Sequence, residues 1–185
     1  SDVYKRQIRD GDQILATLAL DAAEQGTLHG PVIGTVMSNL GLETLLAKHN
    51  RGFERAAVGD RYIFERMVKT GSNLGGEPSG HVLLPQLTRT GDGLIAALQI
   101  LSVICRTGKP ASELLSCFIP IPQRLVNLRD IDMAVLSDKR VTAEVAAVEA
   151  ELGSQGRVLL RPSGTEPVIR VMVEAVDKVR LDAAM

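Results

Sequence analysis

Aromatic residues make up only 3% of this 185-residue chain, and tryptophan is absent. A core without large rings has to be assembled from Leu, Val, Ile and Ala, which the 45% hydrophobic content can supply. Only two cysteines occur, Cys105 and Cys117, both in or near apolar helical stretches. That number excludes a disulfide scaffold and a cysteine-rich zinc module, and a reducing, cytoplasmic setting is expected. No charge sign dominates: 21 basic against 22 acidic residues leave a formal net charge of −1. Without a basic surplus there is no electrostatic footprint for nucleic acid. Long apolar runs are missing too. The longest, residues 94–105, carries Gln99 and Ser102 and is too short to cross a bilayer, so no membrane partner is expected. Residues 1–7 lack the apolar segment of a secretion signal. The chain opens on Ser1 rather than Met, and it is expected to be cut from a longer protein.

One stretch is densely polar: Arg161-Pro162-Ser163-Gly164-Thr165-Glu166-Pro167-Val168-Ile169-Arg170. It sets two guanidinium groups, two hydroxyls and a glycine into a turn between the apolar runs 158–160 and 168–173. Arginine offers a planar fork to phosphate oxygens. The Ser163 and Thr165 hydroxyls rotate to suit an acceptor. Gly164 permits a tight turn and brings backbone N–H groups near an anion. Glu166 would repel a phosphate it faced, so it is expected to point away and orient an arginine. The plain alternative is a β-hairpin with a polar turn. The second arginine after Arg-x-Ser-Gly-Thr-Glu-Pro favours phosphate binding.

A second turn, Gly75-Gly76-Glu77-Pro78-Ser79-Gly80-His81, presents a carboxylate, a hydroxyl and an imidazole together. These suit sugar hydroxyls: the carboxylate accepts two protons and the imidazole donates or accepts one. The alternative is a tight loop with an incidental histidine. His29 and His49 stand alone and read as surface residues. Asp60 is expected to cap a helix. Arg61 is poorly placed for the helix dipole, which favours a role toward an anion. Asp92 is expected to cap as well, and Asp12 reads as a cap. Asp10-Gly11-Asp12 offers too few oxygens for magnesium. No metal site and no nucleophile with an adjacent base can be assembled.

Hydrophobic periodicity predicts helices over 12–25, a stretch capped by Asn39, a stretch from Asp60 with Ile63, Phe64 and Met67 inward, 92–106, 112–116 and 137–152. Strands are predicted over 31–36, 53–58, within 73–84, and over 124–129, 158–160 and 168–176. A polar helix begins after Asp177. Alternating strands and helices in the first part indicate an α/β layer with a partly parallel, mixed sheet. Ile119-Pro120-Ile121-Pro122 marks a boundary, because two prolines resist helix. The expected organisation is an α/β domain over 1–120 and a small α+β domain, β-α-β-β, over 121–185.

Gly-Glu-x-Ser-Gly-His followed about eighty residues later by Arg-x-Ser-Gly-Thr-Glu-Pro resembles the α-D-phosphohexomutase family. Residues 10–14, 34–43, 58–62, 90–93 and 157–161 support the resemblance, which extends over almost the whole chain. It implies the family's third domain followed by most of its fourth, with the last helix cut short. It also implies that Glu77, Ser79 and His81 bind sugar hydroxyls. Arg161, Ser163, Gly164, Thr165 and Arg170 would hold the phosphate not being transferred, and Asp60 and Arg61 would lie on a substrate-facing loop. The family's phosphoserine and its Mg2+-binding Asp-x-Asp-x-Asp loop belong to domains that this chain lacks. By the resemblance, then, the chain carries no catalytic residue and no metal ligand of its own, its partners are a hexose phosphate and the missing N-terminal domains, and it is inactive alone. Pro78 stands where family members differ with substrate, so glucosamine, glucose and mannose phosphates remain alternatives.

Overall fold

The computed structural model describes residues 8–164 and 166–185. The chain forms two compact units, Ser1–Pro120 and Ile121–Met185.

In the first unit the sheet order is β2-β1-β3-β4, formed by β1 (Val32–Thr35), β2 (Phe53–Ala56), β3 (Gly75–Gly76) and β4 (Val82–Leu83). β1 runs parallel to β2, Val32 opposite Phe53, and parallel to β3, Ile33 opposite Gly75. β4 returns antiparallel, Gly75 opposite Leu83. Neighbouring strand residues point to opposite faces, and the core divides accordingly. Val32 and Val82 join a cluster with Leu15, Leu42, Leu46, Ile100 and Val103, which belong to α1 (Gly11–Glu24), α2 (Leu40–Lys48) and α4 (Gly93–Thr107). Ile33 and Leu83 join Ala56, Ile63 and Met67, the latter two from α3 (Asp60–Thr70). Helices therefore cover both faces, as the mixed α/β reading required.

Local signals set the helix ends. The Asp10 side chain accepts from the Gln13 N–H at 3.0 Å, so Asp10 is the cap of α1. Asp12, read from sequence as a cap, lies inside the helix and is buried. Asn39 caps α2 and Asp92 caps α4 through their side chains. Asp60 does not cap α3. Gly59 holds the cap position with no side-chain bond, and Asp60 is the first helical residue. Phe64 is exposed rather than inward: Ile63 and Met67, one turn apart, already fill the buried stripe. Gln13 is buried and uses both ends of its amide. Its Nε2 donates to the Phe118 carbonyl at 2.8 Å, and its Oε1 accepts from the Cys117 N–H at 3.1 Å. The short helix α5 (Ala111–Leu114) precedes this clamp.

The second unit is an antiparallel sheet, order β5-β7-β6, from β5 (Gln123–Arg129), β6 (Gly156–Pro162) and β7 (Val168–Ala175). A 3-10 turn over Met133–Ser137 leads to α6 (Lys139–Leu152), capped by Asp138. Gly153 ends that helix with a φ of 53°. The last helix is α7 (Lys178–Ala183). Leu152, Val173, Ala175 and Leu181 form the small core, with Val148 and Val158 packed against it. Glu174 is fully buried on β7, and the guanidinium of Arg157, opposite it in register, pairs with its carboxylate. A buried carboxylate needs such a partner, since an isolated one would cost several kcal/mol, on the order of 3–5 if Arg157 alone were removed. Among the described residues no helix is long and apolar enough to cross a membrane.

Candidate functional site

Two turns, one in each unit, gather the polar residues singled out above. The first joins β3 to β4. The Glu77 N–H donates to the His81 carbonyl at 2.9 Å, and the Gly80 N–H to the Glu77 carbonyl at 3.0 Å. Gly80 sits at a φ of 96°, which disfavours any residue with a Cβ. The start of α1 braces the turn from beneath, the Gly11 N–H donating to the Pro78 carbonyl at 2.8 Å. A Cβ on Gly11 would stand 1.9 Å from the Glu77 carbonyl oxygen and 2.7 Å from the Gly80 nitrogen. Both are backbone atoms, so the turn itself would have to move. Gly11→Ala is expected to destabilise the first unit by about 1–3 kcal/mol, the range for overpacking. It should also displace Glu77. Urea unfolding checks the first effect, and the affinity for a hexose phosphate the second.

The side chains of this turn form a chain of contacts. The Ser79 hydroxyl lies 3.1 Å from Glu77 Oε2 and 3.0 Å from His81 Nδ1. Glu77 Oε1 accepts from the Gly59 N–H at 2.7 Å. That bond ties the turn to the residue before α3 and brings in Asp60. One ligand atom each of Asp60, Glu77 and His81 lie within 4.8 Å of one another. The sequence reading assembled no metal-capable group; the fold does, from residues seventeen and four positions apart. Arg61 points elsewhere in its bonding: it pairs with Glu65 on the next turn of α3 at 2.9 Å, which raises the pKa of its guanidinium, and its side chain is 83% exposed. The oddity of a cation at a helix start thus has a local explanation in Glu65.

The second turn joins β6 to β7. It is closed by the Ser163 N–H to the Val168 carbonyl at 2.9 Å and the Val168 N–H to the Glu166 carbonyl at 2.8 Å. Arg161 and Arg170 stand directly opposite each other across the ladder. Like charges in that register repel. Burial, then the neighbouring charge of Arg170, pushes the Arg161 guanidinium below its usual pKa. The Nε atoms of both arginines are buried and have no hydrogen-bond partner among the described residues. One further bond of Arg161 runs from Nη1 to the Pro162 carbonyl at 3.3 Å. Glu166 pairs with Arg170 at 3.6 Å, the orienting role expected of it. Gly164 has a φ outside the left-handed region, and among the described residues, its chain neighbours aside, no atom lies within 4 Å of where its Cβ would be. Thr165 lies outside the described residues.

Asp12 is a buried ionisable group near the first turn. Its Oδ2 accepts from the Asn39 N–H at 2.7 Å, while Oδ1 is buried without a partner among the described residues. Burial outweighs the hydrogen bond and raises its pKa to about 6. A depression of about 600 Å3 elsewhere in the first unit, lined by Thr17, Asp21, His49, Arg51 and Cys117 among others, shares none of the residues of either turn. Concavity alone therefore does not locate the chemistry.

With this geometry in hand, comparison with known proteins is decisive. Residues 10–120 match the family model for the alpha/beta/alpha domain III of phosphoglucomutase/phosphomannomutase, and residues 123–184 match that for its C-terminal domain. The chain belongs to the phosphoglucomutase/phosphomannomutase family. Among its relatives, the phosphoglucosamine mutase of Novosphingobium aromaticivorans is 50% identical over 182 residues, which are 98% of this chain and 41% of that protein. The phosphoglucosamine mutase of Paracoccus denitrificans is 53% identical over 176 residues, 94% of this chain and 39% of that protein. The chain thus spans about two fifths of the length of these relatives. Among solved structures, Aspergillus fumigatus N-acetylphosphoglucosamine mutase in complex with GlcNAc-6P and magnesium superposes with a TM-score of 0.79 at 18% identity, over 95% of this chain and 42% of that one. At that identity the likeness establishes the fold.

Sequence reading missed two contributors to the first turn. Gly11 leaves no signal of its role, since the clash that it avoids is with a backbone 66 positions away in the chain. The Gly59 N–H was also missed; the glycine directly before Asp60 was the only trace of it.

Proposed function

We propose that this chain is the sugar- and phosphate-binding part of a phosphoglucosamine mutase, which interconverts glucosamine 6-phosphate and glucosamine 1-phosphate for UDP-N-acetylglucosamine and cell-wall precursor synthesis in the cytoplasm. The observation that carries this reading is the pair of cross-strand guanidiniums whose buried Nε atoms lack partners among the described residues. An unpaired buried donor is costly, about 1–3 kcal/mol and more for a charged group. A phosphate dianion meets both donors and cancels the repulsion between them. Ser163, Gly164 and Thr165 complete the phosphate turn. No described residue beyond its chain neighbours crowds the Cβ position of Gly164, which supports approach of an anion to its backbone. Relatives about 50% identical bear the phosphoglucosamine mutase name, which supports the choice of sugar.

On this reading Glu77, Ser79 and His81 recognise sugar hydroxyls, with Asp60 beside them and Arg61 at the rim. A phosphoserine in the remaining part of the protein gives its phosphate to the sugar, and the bisphosphate so formed returns its other phosphate to the serine. The arginine turn grips whichever phosphate is idle, and this remote binding energy serves the reacting centre. Mg2+, which the rest of the protein would hold, would supply charge neutralisation for the phosphoryl group.

The alternative within the family is a phosphoglucomutase or phosphomannomutase, favoured by Pro78, which rigidifies the sugar turn and removes an amide donor. A stand-alone phosphosugar-binding module is the alternative outside catalysis. Co-expression of this chain with the N-terminal part of a related mutase, followed by kcat/KM measurements on the three hexose phosphates, separates these readings. The glucosamine phosphates are expected to be preferred. A preference for mannose phosphate would replace the first reading with the second, and hexose phosphate binding without restored turnover would favour the module. His81→Ala is expected to weaken hexose phosphate binding and leave inorganic phosphate binding unchanged. Equal loss of both would point to a folding defect and count against a sugar-reading role.

A further inference from the structure

The cluster of Asp60, Glu77 and His81 has a property that sugar recognition does not require. Two carboxylates and an imidazole, from the first turn of α3 and from the β3–β4 turn, hold one ligand atom each within 4.8 Å of one another. Three donors set tetrahedrally around one ion at about 2.0–2.2 Å lie about 3.3–3.6 Å apart, so closure needs a shift of about an ångström, within reach of side-chain rotation. Asp60 and His81 are exposed, so their side chains are free to make that adjustment.

The hydrogen bonds behind the cluster point the same way. The Ser79 hydroxyl donates to Glu77 Oε2 and also lies 3.0 Å from His81 Nδ1. A hydroxyl has one proton, so with that proton on Glu77 it must accept from Nδ1–H. This selects the neutral tautomer that leaves the lone pair on Nε2. Metal-ligating histidines characteristically donate their other ring N–H to a fixed acceptor, which sets the tautomer and the ring orientation. Glu77 is likewise held, through Oε1, by the Gly59 N–H at 2.7 Å.

We propose that Asp60, Glu77 and His81 form a binding site for a divalent ion of the zinc type, with Ser79 as its supporting residue and the remaining coordination positions open to water. Three N/O ligands with an open position is an arrangement that zinc accepts, whereas magnesium disfavours imidazole. The ion and a sugar would use the same side chains, so the two exclude each other. That last step rests on the sugar-binding reading above; the ion site itself does not.

Calorimetric titration of the 185-residue chain with ZnCl2 alone tests the proposal. One ion is expected to bind. Asp60→Asn and His81→Ala should each weaken it by tenfold or more, and Ser79→Ala by roughly tenfold, as loss of an outer-shell partner does. His29→Ala, outside the cluster, should leave it unchanged. Circular dichroism melts establish that each variant is folded. Zinc binding that survives both Asp60→Asn and His81→Ala, or no zinc binding at all by folded chain, overturns the ion site. Adding hexose phosphate should lower the apparent zinc affinity. Zinc that binds through these residues but is indifferent to hexose phosphate would leave the ion site standing and remove the sugar reading of the turn. Loss of the ion site with intact hexose phosphate binding would do the reverse.

Discussion

Arg161→Ala is expected to weaken hexose phosphate binding by about 1.5–3 kcal/mol, a rise in Kd of roughly 10- to 150-fold, the range for hydrogen bonds to charged groups. The guanidinium sits opposite that of Arg170, with its Nε buried and unpartnered among the described residues. Without a ligand this arrangement is unfavourable twice over, by repulsion and by an unmet donor. Deleting one arginine relieves both, so the second unit should be no less stable in urea than before. Loss of affinity with undiminished stability is therefore the signature, and it separates a binding role from a structural one. Arg161→Lys should restore only part of the affinity, because a point charge cannot reproduce a planar fork. Calorimetry showing unchanged affinity in Arg161→Ala would remove this turn from the site.

Asp12→Asn is expected to stabilise the first unit at pH 7. Burial pushes the Asp12 carboxyl up to about 6 in the folded chain, from an ordinary value of 3.8. Well below pH 3.8 it is protonated in both states, and its burial carries no ionic penalty. Between pH 4 and pH 6 the unfolded chain loses its proton first, so stability falls as pH rises. Above pH 6 the full difference applies, on the order of 3 kcal/mol. Asparagine keeps an oxygen for the Asn39 N–H and cannot ionise. The variant should gain about 1–3 kcal/mol at pH 7, and most of that gain should be gone near pH 4. Urea unfolding at pH 4, 5 and 7 measures this. A difference between variant and parent that does not change with pH would refute the assignment.

The elements most legible in the sequence were those with long periodic stretches and firm punctuation. Helix α4 lies between Asp92, which caps it, and Gly108, which ends it in the left-handed region. The β6–β7 hairpin declared itself through two apolar runs around a turn. Less was legible where two residues of one type compete for one role. Asp10 and Asp12 are both caps by type, and only the fold decides that Asp10 faces the Gln13 N–H while Asp12 turns inward toward Asn39. Phe64 shows the limit of hydrophobicity as a guide, because α3 had room inside for only one narrow stripe. Within the β3–β4 turn, Glu77, Ser79 and His81 were visible because they alternate within five residues. The approach of Asp60 was not, since it depends on the Gly59 N–H donating to the Glu77 carboxylate eighteen positions along the chain.

The amide of Gln13 has a consequence for where this protein can be divided. It holds the Cys117 N–H and the Phe118 carbonyl, more than a hundred positions downstream, against the first helix. A piece ending before Cys117 would strand a donor and an acceptor in the interior with nothing to satisfy them, a defect no optimisation of the surface would repair. An isolated first half should therefore be cut beyond Phe118, so that its final residues latch the beginning of the same segment in place.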